Sequence, residues 1–418
     1  MTDPSQTYKS ALSWLYGLQR FGIKLGLENI QRLLAELGLV TDGVGSARLP
    51  KHVIHVAGTN GKGSVCAMVD AICRAQGFHT GLFTSPHLVT FRERVQVNGQ
   101  LISESEVGAG LEKIRGIIAK WEPHPTFFEV ATALGLDHFA EQNVDVAILE
   151  TGLGGRLDAT NAVPSNVSVI TPIDLDHEKW LGVSIDKIAA EKAGIIKQHT
   201  SVISSDQNPT AEKVIRDRAR ECDAPLEFVR EAYDRSPVAL RGTHQKHNAA
   251  VAIAAVRAAG LRITDAAIAR GLLSVQWPAR FQRWDERTII DGAHNPAAAR
   301  TLASTWREAF GDERATIILA VLADKDIRGI FTALAPIAGS VIVAPVRSER
   351  AASPQLIAQT ISSIDPAHPI SITPSLMEAF TIARAKPSPI LVTGSLHFAG
   401  DALALLQGRP AAFEECSQ

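Results

Sequence analysis

The stretch "HVAGTNGKGSV", residues 55–65, constrains the fold of this chain more than any other feature. It follows the apolar run "KHVIHVA" and precedes a segment in which Val65, Met68, Val69 and Ile72 share one helical face. A glycine-rich turn between a buried strand and a helix points backbone N–H groups at one spot, where the helix dipole favours an anion. The sequence therefore predicts a phosphate site on an α/β fold.

The spacing of this loop departs from the common phosphate-loop pattern. The pattern G-x-x-x-x-G-K-[ST] places the lysine six positions after the first glycine. Here Lys62 comes four positions after Gly58, and Gly63 separates it from Ser64. A strand-to-helix turn with an incidental lysine is the alternative, but three glycines around one lysine favour a nucleotide site. We expect Lys62 to reach the β- and γ-phosphates.

Strand-like and helical segments alternate along the chain, which is typical of an α/β fold with a mainly parallel sheet. The first series includes "TGLFTS", "VDVAILE" and "NVSVIT", and the second includes "RTIIDGA", "ATIILAVLA", "SVIVAPV" and "SPILVTG". A length of 418 residues exceeds one ordinary core. We therefore predict two domains, residues 1–278 and 288–418, with a linker at 279–287 containing part of "WPARFQRWDER".

Composition excludes several classes of partner. A formal net charge of −2 argues against a broad nucleic-acid-binding surface, which would be basic. The longest apolar runs are too short to span a bilayer, and the first residues show no signal-peptide pattern. The scattered Cys66, Cys73, Cys222 and Cys416 form no C-x-x-C motif. The sequence predicts a cytoplasmic protein without a nucleic-acid or membrane partner.

Polar residues follow several predicted strands, at the edge where ligand-facing residues gather in open α/β sheets. Ser85 follows one strand and Glu150 ends another. A carboxylate there can hold Mg²⁺, which prefers oxygen ligands, whereas turn capping and a salt bridge are the ordinary alternatives. His177, beyond a further strand, is a candidate metal ligand or an ordinary histidine. Arg156 and Asp158 lie in a loop that can also touch substrate.

The segment "SIDKIAAEKAGIIK" predicts a helix with a lysine on its inward face. Ser184 is the expected N-cap, and Ile185, Ile188 and Ala189 form an apolar stripe. Lys192 falls on the same stripe. An inward lysine must extend its ammonium to solvent, pair with a carboxylate or be modified. The pattern alone leaves these three outcomes open.

The second strand series opens with a strand, turn and helix in "RTIIDGAHNPAAARTL". Asn295 is the expected N-cap, followed by a proline at the first helical position. Asp291, at the strand end, can accept a hydrogen bond from a ribose hydroxyl, and His294 can contact a phosphate. The sequence patterns around Asn248 and Arg280 do not by themselves indicate a functional site.

Taken together, six motifs resemble one family: "HVAGTNGKGSV", "TSPHL", "RERVQVNG", "ETGLGGRLDATN", "DHEKWLG…EKAGIIK" and "DGAHNP". They are similar, in order and over nearly the whole chain, to the folylpolyglutamate synthase/dihydrofolate synthase family of Mur-ligase-like enzymes. The resemblance implies a P-loop-type ATPase domain with a mainly parallel sheet, plus a smaller Rossmann-like α/β C-terminal domain that serves as the glutamate-ligase domain. It also implies that ATP binds at the domain interface.

The resemblance implies a role for each site residue. The ATP contacts would be Gly58, Thr59, Asn60, Gly61, Lys62, Gly63, Ser64, Asn248, Arg280, Asp291 and His294. One Mg²⁺ would be held by Ser85 and Glu150, and a second by Glu150, His177 and Lys192, with Lys192 carbamylated by CO₂. Lys62, His177 and Lys192 would be catalytic. The pterin would be held by Thr126, Phe128 and Asp158. One departure, Phe127 where a tyrosine is common, concerns only the pterin pocket.

The implied activity is ATP-dependent addition of L-glutamate to dihydropteroate and to reduced folates through an acyl phosphate. Its substrates would be ATP, L-glutamate and these folates, and the enzyme would be a monomer. One alternative is a folylpolyglutamate synthase without dihydrofolate synthase activity. Another is a Mur-type peptide ligase, but the 57 residues before Gly58 are too few for its UDP-binding domain. A non-catalytic ATP-binding module would not need Glu150, His177 and Lys192 together.

Overall fold

The computed structural model describes residues 4–22, 24, 26–41, 44–45, 48–409 and 414. Within them the chain forms two mainly parallel sheets with helices between the strands, so the predicted α/β fold class is confirmed. The chain divides into two compact units. Unit 1 comprises residues 1–85, 92–239 and 246–275, and unit 2 comprises residues 86–91, 240–245 and 276–418.

The elements of the described residues alternate as the sequence predicts. The strands are β1 (Val40–Thr41), β2 (Val44–Gly45), β3 (His52–Ala57), β4 (Thr80–Phe83), β5 (Val95–Val97), β6 (Gln100–Leu101), β7 (Val146–Glu150), β8 (Val167–Ile170), β9 (Ser201–Ser205), β10 (Leu226–Val229), β11 (Gln282–Arg283), β12 (Thr288–Ile290), β13 (Ala315–Leu319), β14 (Ala338–Val343), β15 (Ile370–Ile372) and β16 (Ile390–Thr393). The helices are α1 (Pro4–Gly17), α2 (Glu28–Glu36), α3 (Lys62–Gln76), α4 (Glu104–Ile118), α5 (Phe127–Glu141), α6 (Glu178–Leu181), α7 (Ile185–Ala193), α8 (Pro209–Glu221), α9 (Thr243–Ala258), α10 (Asp265–Ser274), α11 (Pro296–Phe310), α12 (Ile327–Leu334), α13 (Pro354–Ile364), α14 (Leu376–Arg384) and α15 (Leu396–Leu406). No helix in the described part of the chain combines the length and apolar character that a bilayer span requires.

The sheet of unit 1 has the order β10-β9-β8-β3-β7-β4-β5-β6. All neighbours from β10 to β4 are parallel, and β5 and β6 add an antiparallel edge. In the register of β3 and β7, Val56 lies opposite Glu150. The turn at Gly58 therefore begins at the same sheet edge at which Glu150 ends β7. Ser85 follows β4, the other neighbour of β7.

The sheet of unit 2 has the order β11-β12-β16-β13-β14-β15, with only β11 antiparallel to its neighbour. Side chains of β13 alternate between two apolar clusters. Ile317 and Leu319 belong to one cluster, and Ile318 belongs to the other. Both faces of the sheet are thus covered, which explains why this strand is a continuous apolar run in the sequence.

Helix α3 differs from the single apolar face that its sequence predicts. Residues 63–73 are all buried, and α10 packs closely against this helix. A Cβ on Gly271 of α10 would lie 2.6 Å from the Cα of Ile72. The glycine therefore lies directly against the backbone of Ala71 and Ile72, which lets the two helices approach closely. Packing on every side fixes the helix that begins at Lys62.

His55 is a buried polar residue in the central strand of unit 1. Its side chain is 1% exposed, and its Nε2 lies 2.8 Å from Thr160 Oγ1. Its Nδ1 has no hydrogen-bond partner among the described residues. Burial, with a smaller contribution from the positive charge of Lys197, lowers the pKa of His55 from 6.5 to about 3. The folded state therefore holds this histidine neutral.

The buried histidine predicts a specific dependence of stability on pH. Between pH 6.5 and about 3, His55 is protonated in the unfolded chain and neutral in the folded chain. The unfolded state then binds one proton more, so the free energy of unfolding falls by up to about 1.4 kcal/mol per pH unit as pH decreases. His55→Gln cannot take up this proton. Urea unfolding of both proteins should be measured from pH 7 to pH 4.5. The free energy of unfolding of the wild type, minus that of His55→Gln, should become smaller as pH falls. Parallel stability curves would contradict the prediction.

Candidate functional site

The turn between β3 and α3 is shaped by two glycines whose backbone conformations disfavour any side chain. Gly58 has φ +149° and Gly61 has φ +89°, conformations that side chains rarely adopt. A Cβ on Gly58 would lie 1.9 Å from Thr171 Oγ1, and a Cβ on Gly61 would lie 3.0 Å from Asn248 Oδ1. The chain therefore runs directly against the end of β8 and against α9. This contact brings Asn248, which had no signal of its own in the sequence, to the predicted phosphate loop.

The same turn is tied to the segment that follows β8. The N–H groups of Thr59 and Asn60 donate to the carbonyl of Pro172 at 3.0 and 3.2 Å. The Thr59 hydroxyl donates to the carbonyl of Asp174 at 3.0 Å. These bonds hold the loop in shape without a ligand, so little conformational entropy has to be lost when one binds.

Two lysine side chains meet at the carbonyl of Gly58. Lys192 Nζ donates to it at 2.7 Å, and Lys62 Nζ donates to it at 3.1 Å. Lys192 is 5% exposed and lies on the same buried stripe of α7 as Ile188 and Ala189, as the sequence predicts. The half-buried ammonium of Lys62 thus places positive charge beside the carbonyl at which the buried Lys192 side chain also ends. Such a place attracts a phosphate or another anion.

The environment of Lys192 differs from two of the three outcomes that the sequence left open. The side chain does not extend to solvent, and within the described residues it forms no ion pair. Burial, followed by the positive charge of Lys62, lowers the pKa of Lys192 from 10.5 to about 7, against the smaller opposing effects of Asp176 and Asp158. Near neutral pH a substantial fraction of Lys192 is therefore an uncharged, nucleophilic amine.

Ser85 and Glu150 lie together at the carboxyl edge of the sheet. The Ser85 N–H donates to Glu150 Oε2 at 3.2 Å. Ser85 Oγ is buried and has no hydrogen-bond partner among the described residues. An unpartnered hydroxyl oxygen beside a carboxylate oxygen is a pair of hard donors, which suits Mg²⁺. The chemistry of these two residues fits the magnesium ion that the sequence predicts.

His177 is placed differently from the other predicted metal ligands. It is exposed, has φ +51° and precedes α6, and its N–H donates to Asp176 Oδ1 at 2.8 Å. Across the residues that the structure covers, no three His, Cys, Asp or Glu side chains are grouped to hold a metal ion. The structure thus brings Ser85 and Glu150 together, and it forms no such group around His177.

The loop after Glu150 is closed by the carboxylate of Asp158. Oδ2 accepts the N–H groups of Gly152 and Leu153 at 2.9 and 2.8 Å. Oδ1 accepts the N–H and the hydroxyl of Thr160 at 3.0 and 2.5 Å. Burial raises the pKa of Asp158 above its ordinary value, whereas these four hydrogen bonds act to lower it. Four donors match the full acceptor capacity of one carboxylate.

Thr126 and Phe128, two of the three predicted pterin contacts, lie at the start of α5. Thr126 is the N-cap, with its hydroxyl accepting from the N–H of Glu129 at 3.3 Å. The half-buried ring of Phe128 lies against Gly152, where an added Cβ would come within 2.5–2.9 Å of three ring atoms. Gly152, which the sequence analysis did not single out, therefore lies directly against the Phe128 ring.

In unit 2, Asp291 holds the turn that follows β12. Its Oδ2 accepts the N–H of Phe281 at 2.7 Å, and its Oδ1 accepts the N–H of Ala293 at 2.9 Å. His294 Nδ1 lies 2.9 Å from the carbonyl of Gly292. Burial raises the pKa of Asp291, and Arg280 has the largest opposing effect. Asp291 and His294 are thus held in one turn.

Arg280 lies between two residues in strained conformations. Ala279 has φ +55° and Phe281 has φ +47°, values that are uncommon for residues other than glycine. The guanidinium of Arg280 donates to the carbonyl of Ala279 at 2.9 Å, and its Nη1 would lie 3.1 Å from a Cβ on Gly292. Arg280, Asp291 and His294 are therefore gathered at one end of the unit 2 sheet. Strain of this kind is often found at functional sites.

Family models match most of the chain. Residues 56–230 match the Mur ligase middle domain, and residues 279–396 match the Mur ligase glutamate ligase domain. The dihydrofolate synthase/folylpolyglutamate synthase of Bacillus subtilis is 34% identical over 434 residues, which covers 94% of this chain and 98% of that protein. Similarity therefore extends over nearly the full length of both chains.

Solved structures also resemble this chain over nearly its full length. E. coli FolC in complex with DHPP and ADP has a TM-score of 0.85 and 33% identity, covering 96% of this chain and 98% of that one. A bifunctional folylpolyglutamate synthase/dihydrofolate synthase with Mn, AMPPNP and L-glutamate bound has a TM-score of 0.83 and 31% identity, covering 95% and 98%. The loop geometry, the matched domains and the full-length similarity agree. This chain belongs to the folylpolyglutamate synthase/dihydrofolate synthase family of Mur ligases.

Proposed function

We propose that this chain is an ATP-dependent ligase that adds L-glutamate to dihydropteroate and to reduced folates, releasing ADP and phosphate. The observation that carries the proposal is the glycine turn at Gly58, whose carbonyl accepts hydrogen bonds from the side-chain nitrogens of Lys62 and Lys192. The Ser85–Glu150 pair lies at the same sheet edge. Relatives bind DHPP, ATP analogues and L-glutamate, which defines the class of substrates.

The reaction overcomes the low electrophilicity of a carboxylate. A carboxylate oxygen of the folate acceptor forms a bond to the γ-phosphorus of ATP, the bond from that phosphorus to the bridging oxygen breaks, and ADP leaves. The neutral amine of L-glutamate then attacks the acyl carbon. The bond from this carbon to the phosphate oxygen breaks, and the amine gives up a proton as the amide forms. Catalysis consists mainly of positioning and of neutralising charge.

The chain's own groups supply this positioning. The backbone from Gly58 to Ser64 cradles the phosphates, and the ammonium of Lys62 exchanges its carbonyl partners for phosphate oxygens. Asn248 lies against Gly61 of this loop and is a proposed nucleotide contact. In unit 2, Arg280, Asp291 and His294 are proposed nucleotide contacts.

Magnesium completes the site in this proposal. Ser85 and Glu150 would hold one ion, and Glu150, His177 and a modified Lys192 would hold a second. When bound, these ions neutralise charge on the phosphoryl group. The unpartnered Ser85 hydroxyl supports the first position, and the manganese ion bound together with AMPPNP in a relative supports a divalent metal in general.

Lys192 is proposed to carry a carbamate. An ammonium cannot ligate a cation, whereas a carbamate presents two anionic oxygens. In its formation the neutral amine attacks CO₂, an N–C bond forms and one amine proton is released to solvent. The burial of Lys192, its pKa of about 7 and its lack of an ion pair among the described residues support this modification. The uncharged amine is nucleophilic, and burial shields it from solvent.

Phe128 and Thr126 are proposed to hold the pterin together with the loop closed by Asp158. We further propose that residues 1–278 form the ATP-binding domain, 279–287 the linker and 288–418 the glutamate-ligase domain. The enzyme is proposed to act as a monomer in the cytoplasm, where ATP and reduced folates are available.

Phosphate release tests the function directly. With ATP, Mg²⁺ and L-glutamate, the chain should release phosphate in proportion to added dihydropteroate and, separately, to added tetrahydrofolate. Mass spectrometry should show one added glutamate per phosphate. Activity with tetrahydrofolate alone would indicate a folylpolyglutamate synthase without the second activity. Absence of acceptor-dependent phosphate release with both folates would contradict the proposal.

Glu150→Gln tests the metal site. The substitution keeps the size of the side chain and its ability to accept from the Ser85 N–H, but removes the negative charge that attracts Mg²⁺. We expect kcat to fall at least about 100-fold and half-saturation by Mg²⁺ to require a higher concentration. The exposed Glu227→Gln is the control and should behave as wild type. Unchanged turnover and unchanged Mg²⁺ dependence in Glu150→Gln would refute the assignment.

Lys192→Ala tests the carbamate. Removal of the amine should abolish turnover, and added acetate should restore part of it by supplying a carboxylate in the space left by the side chain. With ¹³C-labelled bicarbonate, the wild-type protein should show a carbamate carbon signal that Lys192→Ala lacks. Full activity of Lys192→Ala with or without acetate, or the same ¹³C spectrum for both proteins, would show that no carbamate is needed.

A further inference from the structure

A buried chain of hydrogen bonds connects strand β3 to the loop that follows Glu150. His55, Thr160 and Asp158 are each at most 5% exposed. Thr160 Oγ1 lies 2.8 Å from His55 Nε2 and 2.5 Å from Asp158 Oδ1. The roles proposed above assign nothing to His55 or to Thr160.

The direction of these hydrogen bonds follows from the number of available protons. Thr160 has one hydroxyl hydrogen, and the carboxylate of Asp158 can only accept, so the hydroxyl donates to Asp158. The same hydroxyl must therefore accept from His55, which places the proton of the neutral ring on Nε2. The unprotonated Nδ1 is then the buried atom without a partner among the described residues. Histidine thus fixes the orientation of the threonine hydroxyl, and the hydroxyl fixes the carboxylate.

The far end of this chain sets the position of Gly152. The second oxygen of Asp158 accepts the N–H of Gly152 at 2.9 Å. The other side of Gly152 touches the Phe128 ring, with no space for even one methyl group between them. A shift of Gly152 by a few tenths of an ångström must therefore move the ring.

Glu150 does not depend on this chain of bonds. It belongs to β7 and pairs with Val56 of β3 in the parallel ladder. The next residue, Thr151, is held by a 3.0 Å hydrogen bond from its N–H to the carbonyl of Val56. If the loop held by Asp158 loosens, Gly152 is therefore the first residue free to move, and Glu150 keeps its position at the sheet edge.

We propose that His55 and Thr160 are positioning residues for the pterin end of the acceptor. They hold Asp158, Asp158 holds Gly152, and Gly152 sets the orientation of Phe128, while His55 and Thr160 themselves do not touch the substrate. The inference rests on the proposed function, because it assumes a folate acceptor against Phe128. It predicts that loss of these residues changes the KM for the acceptor and leaves the KM for ATP unchanged.

The test compares three variants with matched chemistry. Thr160→Val removes the hydroxyl that links His55 to Asp158, and Thr160→Ser keeps it. Thr132→Val makes the same change at a threonine of α5 that is 1% exposed and whose hydroxyl has no hydrogen-bond partner among the described residues. Thr160→Val should raise the KM for dihydropteroate roughly tenfold, with the KM for ATP within about twofold of wild type. Thr160→Ser and Thr132→Val should keep both KM values near wild type.

A further variant, His55→Leu, tests whether the histidine belongs to the same chain of hydrogen bonds. It removes the Nε2 donor and should raise the KM for dihydropteroate in the same direction as Thr160→Val. The double variant should be little worse than Thr160→Val alone, because both changes interrupt one connected path. Thermal unfolding of each variant identifies any that fail to fold. If Thr160→Val does not fold, His55→Leu carries the test, and an unchanged KM for dihydropteroate in His55→Leu would then overturn the inference.

The outcomes separate this inference from the proposed function. If the wild-type chain shows no folate-dependent phosphate release, the proposed function fails. If the wild type is active but Thr160→Val changes the KM for dihydropteroate no more than Thr132→Val does, the positioning role alone is wrong. Equal increases in the KM for dihydropteroate and for ATP would also overturn it, since they would indicate a general loss of structure.

Discussion

The carbonyl group of Gly58 is the point on which the phosphate end of the site depends. It accepts hydrogen bonds from the side-chain nitrogens of both Lys62 and Lys192, and the Cα beside it has no space for a side chain because Thr171 lies against it. The loop must therefore turn at a glycine, and the two lysines must converge there. A charge-dense anion can replace this uncharged carbonyl as the partner of Lys62, so the arrangement is prepared for a phosphate before one arrives.

The parallel sheet of unit 1 explains why the remaining groups of its site gather nearby. The carboxyl ends of β3, β4, β7 and β8 lie at one edge, and the chain leaves each of them in a loop that carries polar groups. Burial then gives these groups unusual properties. Lys192 loses part of its charge, and Ser85 keeps an unpartnered hydroxyl. Each property would be unfavourable in an ordinary core, and each supports the proposed binding of metal or phosphate.

Local patterns in the sequence predicted the features that depend on local geometry. The strand before Gly58, Glu150 at the end of β7, the Asn295 cap of α11 and the inward stripe of α7 all follow from periodicity and from residue types at helix ends. Features set by long-range packing were not predictable in this way. The burial of α3 by α10 and the contact of Asn248 with Gly61 join residues far apart in the chain. The roles of His177 and of the carbamate came only from family resemblance and stay predictions.

Transfer of ¹⁸O tests the central claim that this site activates a carboxylate by phosphorylating it. The acceptor is prepared with ¹⁸O in its carboxylate group and incubated with the enzyme, Mg-ATP and L-glutamate. If an acyl phosphate forms, one carboxylate oxygen leaves with the phosphoryl group, and mass spectrometry of the released phosphate should find one ¹⁸O atom per turnover. Amide formation with no ¹⁸O in the phosphate would contradict the account, because the carboxylate oxygen would then have left by another route.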